Sequence, residues 1–238
     1  MSKHKINEKF FNIWKPEMAY ILGYLYADGC LSDCKDIRAK YISITSIDKD
    51  RIYLFKRLMG SKHKIVILPP ITSARKIRYI LRIGSHKLFN RLNKLGLYPN
   101  KTFTMIFPKI PKPVIHHFIR GYFDGDGCIY LEKSQDKNGR LMYKRLLVAI
   151  TSGSKDFLNG LGKVLTKVTD TKFRIYKSHR SYQLRYGTND TVKLFEFMYN
   201  NVQGRLFTRR KYNKFKEYLS VRPDRLSNKI VEIMKRHG

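Results

Sequence analysis

ILGYLYADG, residues 21–29, decides the reading of this chain, because IRGYFDGDG, residues 119–127, repeats it. Aligned without a gap, both copies open on an aliphatic residue, carry Gly third and a small residue seventh, and close on Asp-Gly. The two acids, Asp28 and Asp126, stand 98 residues apart. Each copy is apolar enough to be buried, yet each ends on a carboxylate.

Three further matches follow in the same order. ISITS (42–46) returns as VAITS (148–152), YILRIG (79–84) as YQLRYG (182–187), and KLF (87–89) as KLF (193–195), at offsets of 106, 103 and 106. A fixed order at a nearly fixed offset marks a tandem duplication of one structural unit. Between the copies, MIFPKIPKPV (105–114) holds three of the eight prolines and cannot be continuous helix. The expected organisation is a first repeat over residues 1–104, a linker at 105–114 and a second repeat over 115–238.

Charge narrows the class of partner. The 238 residues carry 49 Lys and Arg against 18 Asp and Glu, a net +31, while 42% hydrophobic residues with 16 Tyr and 14 Phe call for a packed core. Self-repulsion at that charge opposes folding, so a polyanion is the natural partner. Nucleic acid fits better than a membrane surface, because the basic residues are spread along the chain and no run of about 18 apolar residues occurs. MSKHKINEKFFNIWKPE, at the N-terminus, lacks an apolar segment of signal-peptide length, so secretion is not expected. Cys30, Cys34 and Cys128 cannot all pair, which suits buried thiols in a reducing compartment that holds the host genome. His116 and His117 are adjacent, so on a helix they diverge by about 100° and chelate poorly.

Within each repeat, helical and strand periodicities alternate. Residues 16–27 are apolar nearly all round, as in a buried helix, with Pro16 suited to the first turn. In KIRYILRI (76–83), Ile77, Tyr79, Leu81 and Ile83 share one face, and Lys76, Arg78, Ile80 and Arg82 the other. Its counterpart sets Tyr182, Leu184 and Tyr186 against Ser181, Gln183 and Arg185. Phe173 and Ile175 likewise oppose Lys172, Arg174 and Tyr176. Residues 48–59 and 154–168 read as helices opening on Asp48 and Ser154. The expected class is α+β: two pseudo-symmetric αββαββα repeats, each sheet covered by helices on one face and basic on the other. Arg82, Arg185, Gln183, Arg145 and their neighbours would then form a ribbon surface able to read base edges in a DNA major groove.

The opening stretch can now be read physically. Gly23 and Ala27, like Gly121 and Gly125, lie four apart on one helix face, so the two motif helices can approach closely, backbone to backbone. Gly29 and Gly127 are expected to take the left-handed position that ends a helix. Asp28 and Asp126 then meet at two helix C-termini, the unfavourable end for an anion by about 0.3–1 kcal/mol each. Cations must intervene to keep both ionised. Hard oxygen ligands suit Mg²⁺, and an acidic metal site against a basic sheet points to phosphodiester hydrolysis.

ILGYLYADG and IRGYFDGDG resemble the LAGLIDADG motif of homing endonucleases, and through the two repeats the resemblance covers nearly the whole chain. Two copies in one polypeptide resemble the monomeric, pseudo-symmetric class. The resemblance implies that Asp28 and Asp126 bind Mg²⁺, with Mn²⁺ or Ca²⁺ able to occupy the same sites, and that the carbonyls of Ala27 and Gly125 contribute. It implies hydrolysis of both strands of a DNA target site across the minor groove, short 3′ overhangs, and two antiparallel sheets forming a saddle on the major groove. It also implies a basic residue late in each repeat, near the scissile phosphates: Lys101 in LYPNKT, and either Arg210 or Lys211 in LFTRRKY.

Two departures stand out. Tyr26 occupies the sixth motif position, where the family often has Asp and the second copy has Asp124. Ser46 and Ser152 stand where relatives often carry Gln, and would position water only weakly. Two rival readings remain from the sequence: an RNA maturase acting on a host intron RNA, and a catalytically inactive DNA-binding regulator. The intact acids favour the nuclease, and residues 221–238 are too short for an added helix-turn-helix region.

Overall fold

Pro16 opens the first helix, as its fixed φ and missing N–H allow. The computed structural model describes all residues except 1–3, 71, 73–75, 136, 140, 203 and 238. The chain divides into two compact units, Met1–Lys101 with Pro108–Gly125, and Thr102–Phe107 with Asp126–Gly238.

The first unit runs α1 (Pro16–Asp28), β1 (Gly29–Cys34), β2 (Ala39–Ser46), α2 (Lys49–Leu58), β3 (Ile65–Leu68), β4 (Arg78–Gly84) and α3 (His86–Lys94). To these it adds α4 (Ile115–Asp126) through Gly125. Its sheet is antiparallel in the order β1-β2-β4-β3. Leu31, Ile42, Ile44, Leu81 and Ile83 are buried on one face, with Phe55 of α2 and Leu88 and Leu92 of α3 in the same core. Full burial of one such side chain contributes about 1.5–3 kcal/mol. Ile77, expected on this face, precedes β4 and is exposed.

The second unit repeats the plan: β5 (Gly127–Gln135), β6 (Leu141–Ser152), α5 (Lys155–Thr169), β7 (Arg174–Ser178), β8 (Ser181–Tyr186) and α6 (Thr188–Tyr199). The sheet order is β5-β6-β8-β7, with Ile129, Val148, Ile150, Leu184 and Tyr186 on the buried face. Ser154 caps α5 by accepting from the Phe157 amide, as its position predicts, and its hydroxyl donates to the Met105 carbonyl at 2.6 Å. That bond ties the segment before Pro108 to this unit. Two helices exceed the repeat pattern, α7 (Arg209–Ser220) and α8 (Asn228–Arg236). Tyr212 and Phe215 of α7 join Phe195 and Tyr199 of α6 in an aromatic cluster. Among the described residues there are thus two four-stranded antiparallel sheets and eight α-helices, in mixed α+β order.

One expectation is corrected. Gly29 is not left-handed: it has φ −85° and ψ 143°, and Gly127 is absent from the described glycines with positive φ. Each helix passes directly into a strand. Gly29 is needed for a different reason, since a Cβ there would lie 2.4 Å from the Leu25 carbonyl oxygen.

Candidate active site

Small residues place the two motif helices backbone to backbone. A Cβ on Gly23 would sit 2.0 Å from the Phe118 carbonyl oxygen, and one on Gly121 would sit 2.0 Å from that of Tyr20. No side chain fits in either gap. One turn further on, a Cβ on Gly125 would meet the Ala27 Cβ at 2.4 Å and Oδ2 of Asp28 at 3.1 Å. The Asp28 carboxylate therefore borders the end of the second motif. Asp126 follows Gly125 by one peptide bond and leads into β5.

Around this seam the polar groups are internally bonded. Tyr24 shares a 2.8 Å hydrogen bond with Ser46, and burial, then the Asp28 charge, push its hydroxyl far above the usual tyrosine range. Tyr20 donates to Oδ2 of buried Asp124 at 2.6 Å, so the acid at the sixth motif position packs inward. Tyr26, at the same position of the first motif, donates to the Leu95 carbonyl at 2.8 Å. Ser46 and Ser152 are buried, and their hydroxyls accept from the amides of Asp48 and Ser154. They close the turns into α2 and α5. His117 and Arg120 are bonded at 2.7 Å, and burial, with Arg120 second, lowers His116 to about 4 and His117 to about 3.

Burial separates the two basic candidates of the second repeat. Lys101 is 7% exposed and Lys211 is 4% exposed, whereas Arg210 points to solvent. Lysine is seldom so deep. Lys101 and Lys211 share this burial, and Arg210 does not.

The uncovered sheet faces carry the predicted cations. In the first unit, one row across the sheet reads Cys30, Ser43, Arg82, and in the second Cys128, Ala149, Arg185, Arg174. Each arginine is two strands, about 9.5 Å, from the cysteine two residues after the motif acid. Arg82 lies 4.0 Å over the Tyr41 ring and Arg185 4.8 Å over that of Tyr176. Oε1 of Gln183 accepts from Nε and Nη2 of Arg185 at 2.9 and 2.7 Å. Lys76 and Lys172 are exposed just before β4 and β7; Arg78 is half-buried at the start of β4; Arg174 is exposed. Arg145 faces Glu132 across β5 and β6 and pairs with it at 3.6 Å, so its charge is partly spent within the protein. At the far end of the first sheet, a cleft of about 650 Å³ is lined by Arg38, Lys40, Tyr41, His63, Lys64 and Arg82 among others. Of the two aromatic supports, strand periodicity places Tyr176 on this face, while Tyr41 has no such reading from sequence. Strand parity was the signal for Tyr41 too, but the diagonal contact depends on register.

The donor chemistry fits a hard divalent cation. Asp28 is exposed and adjoins the close Ala27–Gly125 contact, and Asp126 is half-buried. Among the described residues no group of three or more His, Cys, Asp or Glu gathers around one point. Carboxylates of this kind hold Mg²⁺ with backbone carbonyls, water and phosphate completing its shell. No described helix is long and apolar enough to cross a membrane.

Comparison with known proteins agrees with the fold. Residues 113–199 match the family model described as a LAGLIDADG-like domain. Two curated relatives come from Methanocaldococcus jannaschii. One, a probable translation initiation factor IF-2, is 26% identical over 75% of this chain and 14% of its own length. The other, a reverse gyrase, is 24% identical over 98% of this chain and 12% of its own length. The chain thus spans about an eighth of the length of the curated relatives it matches. Among solved structures, the homing endonuclease I-WcaI bound to its DNA recognition sequence aligns with TM-score 0.58 at 16% identity, covering 86% of this chain and 90% of that one. I-DmoI in complex with DNA and Mn aligns at 0.52 and 21%, covering 79% and 98%. Full-length DUF199/WhiA from Thermatoga maritima aligns at 0.53 and 15%, covering 97% and 70%. The chain has the two-motif homing-endonuclease fold.

Proposed function

We propose that this protein, with the fold of the LAGLIDADG homing endonucleases, is a site-specific endonuclease that hydrolyses both strands of a double-stranded DNA target with divalent metal ions. The observation that carries the reading is the glycine seam, which sets the Asp28 carboxylate 3.1 Å from the Cβ position of Gly125, one residue before Asp126. The fold alone does not assign hydrolysis; the paired acids are what support it. The two relatives differ in name and match this chain over only a small part of their length, which supports a self-contained module separate from initiation or gyrase chemistry.

In this reading Asp28 and Asp126, with the carbonyls of Ala27 and Gly125, hold Mg²⁺, and Mn²⁺ or Ca²⁺ can take its place. The bound ion would polarise the scissile phosphate and ease deprotonation of the attacking water. Lys101 and Lys211 bring a positive charge to the phosphoryl oxygens, and their burial limits competing solvation. Arg82, Arg185 and the flanking Arg78, Arg174, Lys76 and Lys172 bind the duplex, some at base edges and some at phosphates. The protein acts as a monomer, since both acids lie in one chain, and short 3′ overhangs are the expected product.

The test begins with duplex sites selected from a randomised library in Mg²⁺. Asp28→Asn and Asp126→Asn should each lose double-strand cleavage while keeping affinity, because the sheet contacts are untouched. Full cutting by both variants sinks the assignment. An unaltered protein that binds host intron RNA and cuts no duplex establishes the RNA reading instead.

A further inference from the structure

We propose that Gln183 and Tyr176 lock Arg185 into a single guanine-reading unit, so that Gln183 is a positioning residue for Arg185 and reads no base of its own. The inference rests on the DNA-binding reading above and adds the base and the residues responsible.

Hydrogen-bond capacity decides the point. The guanidinium presents five N–H donors in a rigid fork. Oε1 of Gln183 accepts from Nε at 2.9 Å and from Nη2 at 2.7 Å, which occupies the inner edge of that fork. One N–H on each of Nη1 and Nη2 remains at the outer end, side by side. Guanine offers two adjacent acceptors in the major groove, O6 and N7, which that pair of donors matches. A glutamine reading adenine must accept from N6 with Oε1 while donating to N7. A carbonyl-type oxygen has two lone pairs, and Arg185 takes both. Gln183 therefore cannot read adenine while Arg185 is held.

Stacking supplies the remaining constraint. Tyr176 pairs with Gln183 across β7 and β8, which places its ring diagonally beneath Arg185, 4.8 Å from the guanidinium carbon. The ring fixes the plane of the guanidinium and Gln183 fixes its rotation within that plane. In the first unit Arg82 has a ring beneath it, Tyr41 at 4.0 Å, but the residue equivalent to Gln183 is Ile80, which has no acceptor. Guanine selection should accordingly be stricter in the half-site read by the second repeat.

The experiment measures the affinity of the full chain for a set of duplexes in which each base pair of the selected site is varied singly. Arg185→Ala should lose about 5–150-fold of preference for guanine at one base pair. Gln183→Ala should relax preference several-fold at that same base pair, add nothing in the Arg185→Ala background, and be rescued by Gln183→Glu, whose carboxylate accepts the same two N–H bonds. All three side chains are at least partly exposed, so the variants should fold. The proposal is overturned if Gln183→Ala alters a different base pair, or if its effect adds to that of Arg185→Ala. It is also overturned if Arg185→Ala weakens every duplex alike and lowers the salt slope by about one, the mark of a phosphate contact; DNA binding itself would then stand. Failure of the unaltered protein to bind any duplex would remove the reading beneath it.

Discussion

The helix seam and the sheet faces of this protein have kept the duplication to different degrees. At the seam the two copies are interchangeable: Gly23 and Gly121 each press a backbone against a carbonyl oxygen at the same 2.0 Å Cβ distance. On the faces, Arg82 and Arg185 hold equivalent positions but are supported from opposite sides. Tyr41 reaches Arg82 from the inner strand β2, and Tyr176 reaches Arg185 from the edge strand β7. Close packing leaves one solution at the seam, whereas an exposed arginine can be oriented by whichever neighbour carries a ring. Under the proposed function, a symmetric centre and divergent faces would suit like chemistry on two strands and the reading of two different half-sites.

The sharpest way to break this comparison is to fill the seam. Gly23→Val and Gly121→Val each drive atoms into backbone that cannot move aside, and each should cost at least about 3–4 kcal/mol, at the upper end of single-site effects. Gly187→Ala, where a Cβ meets nothing within 4 Å, should be close to neutral. Urea midpoints read all three. Unequal losses at Gly23 and Gly121 would show that the seam is less symmetric than its distances.

Next in size is the register of the sheets. Leu81 and Leu184 are both fully buried, and the residue after each is an exposed arginine. Leu81→Arg and Leu184→Arg should each unfold their unit, because an unpaired charge would enter the core. Arg82→Leu should leave thermal stability within about 0.5 kcal/mol while reducing DNA affinity. Tolerance of Leu81→Arg together with intolerance of Arg82→Leu would invert every assignment of face.

Element order and strand faces were legible from sequence because the period-two pattern around Leu81 and Leu184 and the nearly uniform apolarity of residues 16–27 each follow from a single environment. Other features turned on a residue's exact placement. An Asp-Gly ending fits a left-handed cap and an immediate strand equally well, and Gly29 is the latter. Arg210 and Lys211 differ by one step of α7, and only the helix phase buries Lys211 and exposes Arg210. The Arg82–Tyr41 and Arg185–Tyr176 pairs are diagonal contacts across strands, so they depend on a register that the intervening loops set. Helices α7 and α8 have no counterpart in the first repeat, so the duplication gave no pattern from which to infer them.

The smallest expected effect separates the two motif helices by their response to acid. Residues equivalent to His116, His117 and Arg120 in α1 are Met18, Ala19 and Leu22, so only α4 buries titratable groups at these positions. Burial lowers His116 to about 4 and His117 to about 3, below the ordinary 6.5, and lowers His63 as well. Between the folded and unfolded values the unfolded chain binds more protons, so stability falls as pH falls. It should be level above about pH 6.5 and decline from there toward pH 4, ahead of the carboxylates, whose ordinary values lie near 4. His116→Met, which copies Met18, removes one of the three groups and should reduce the loss of stability between pH 7 and 5 without altering the value at pH 7 by much. Urea midpoints at the two pH values decide it. An unchanged loss in His116→Met would place the acid sensitivity in His63 and His117, leaving α1 and α4 distinguished by one histidine in place of two.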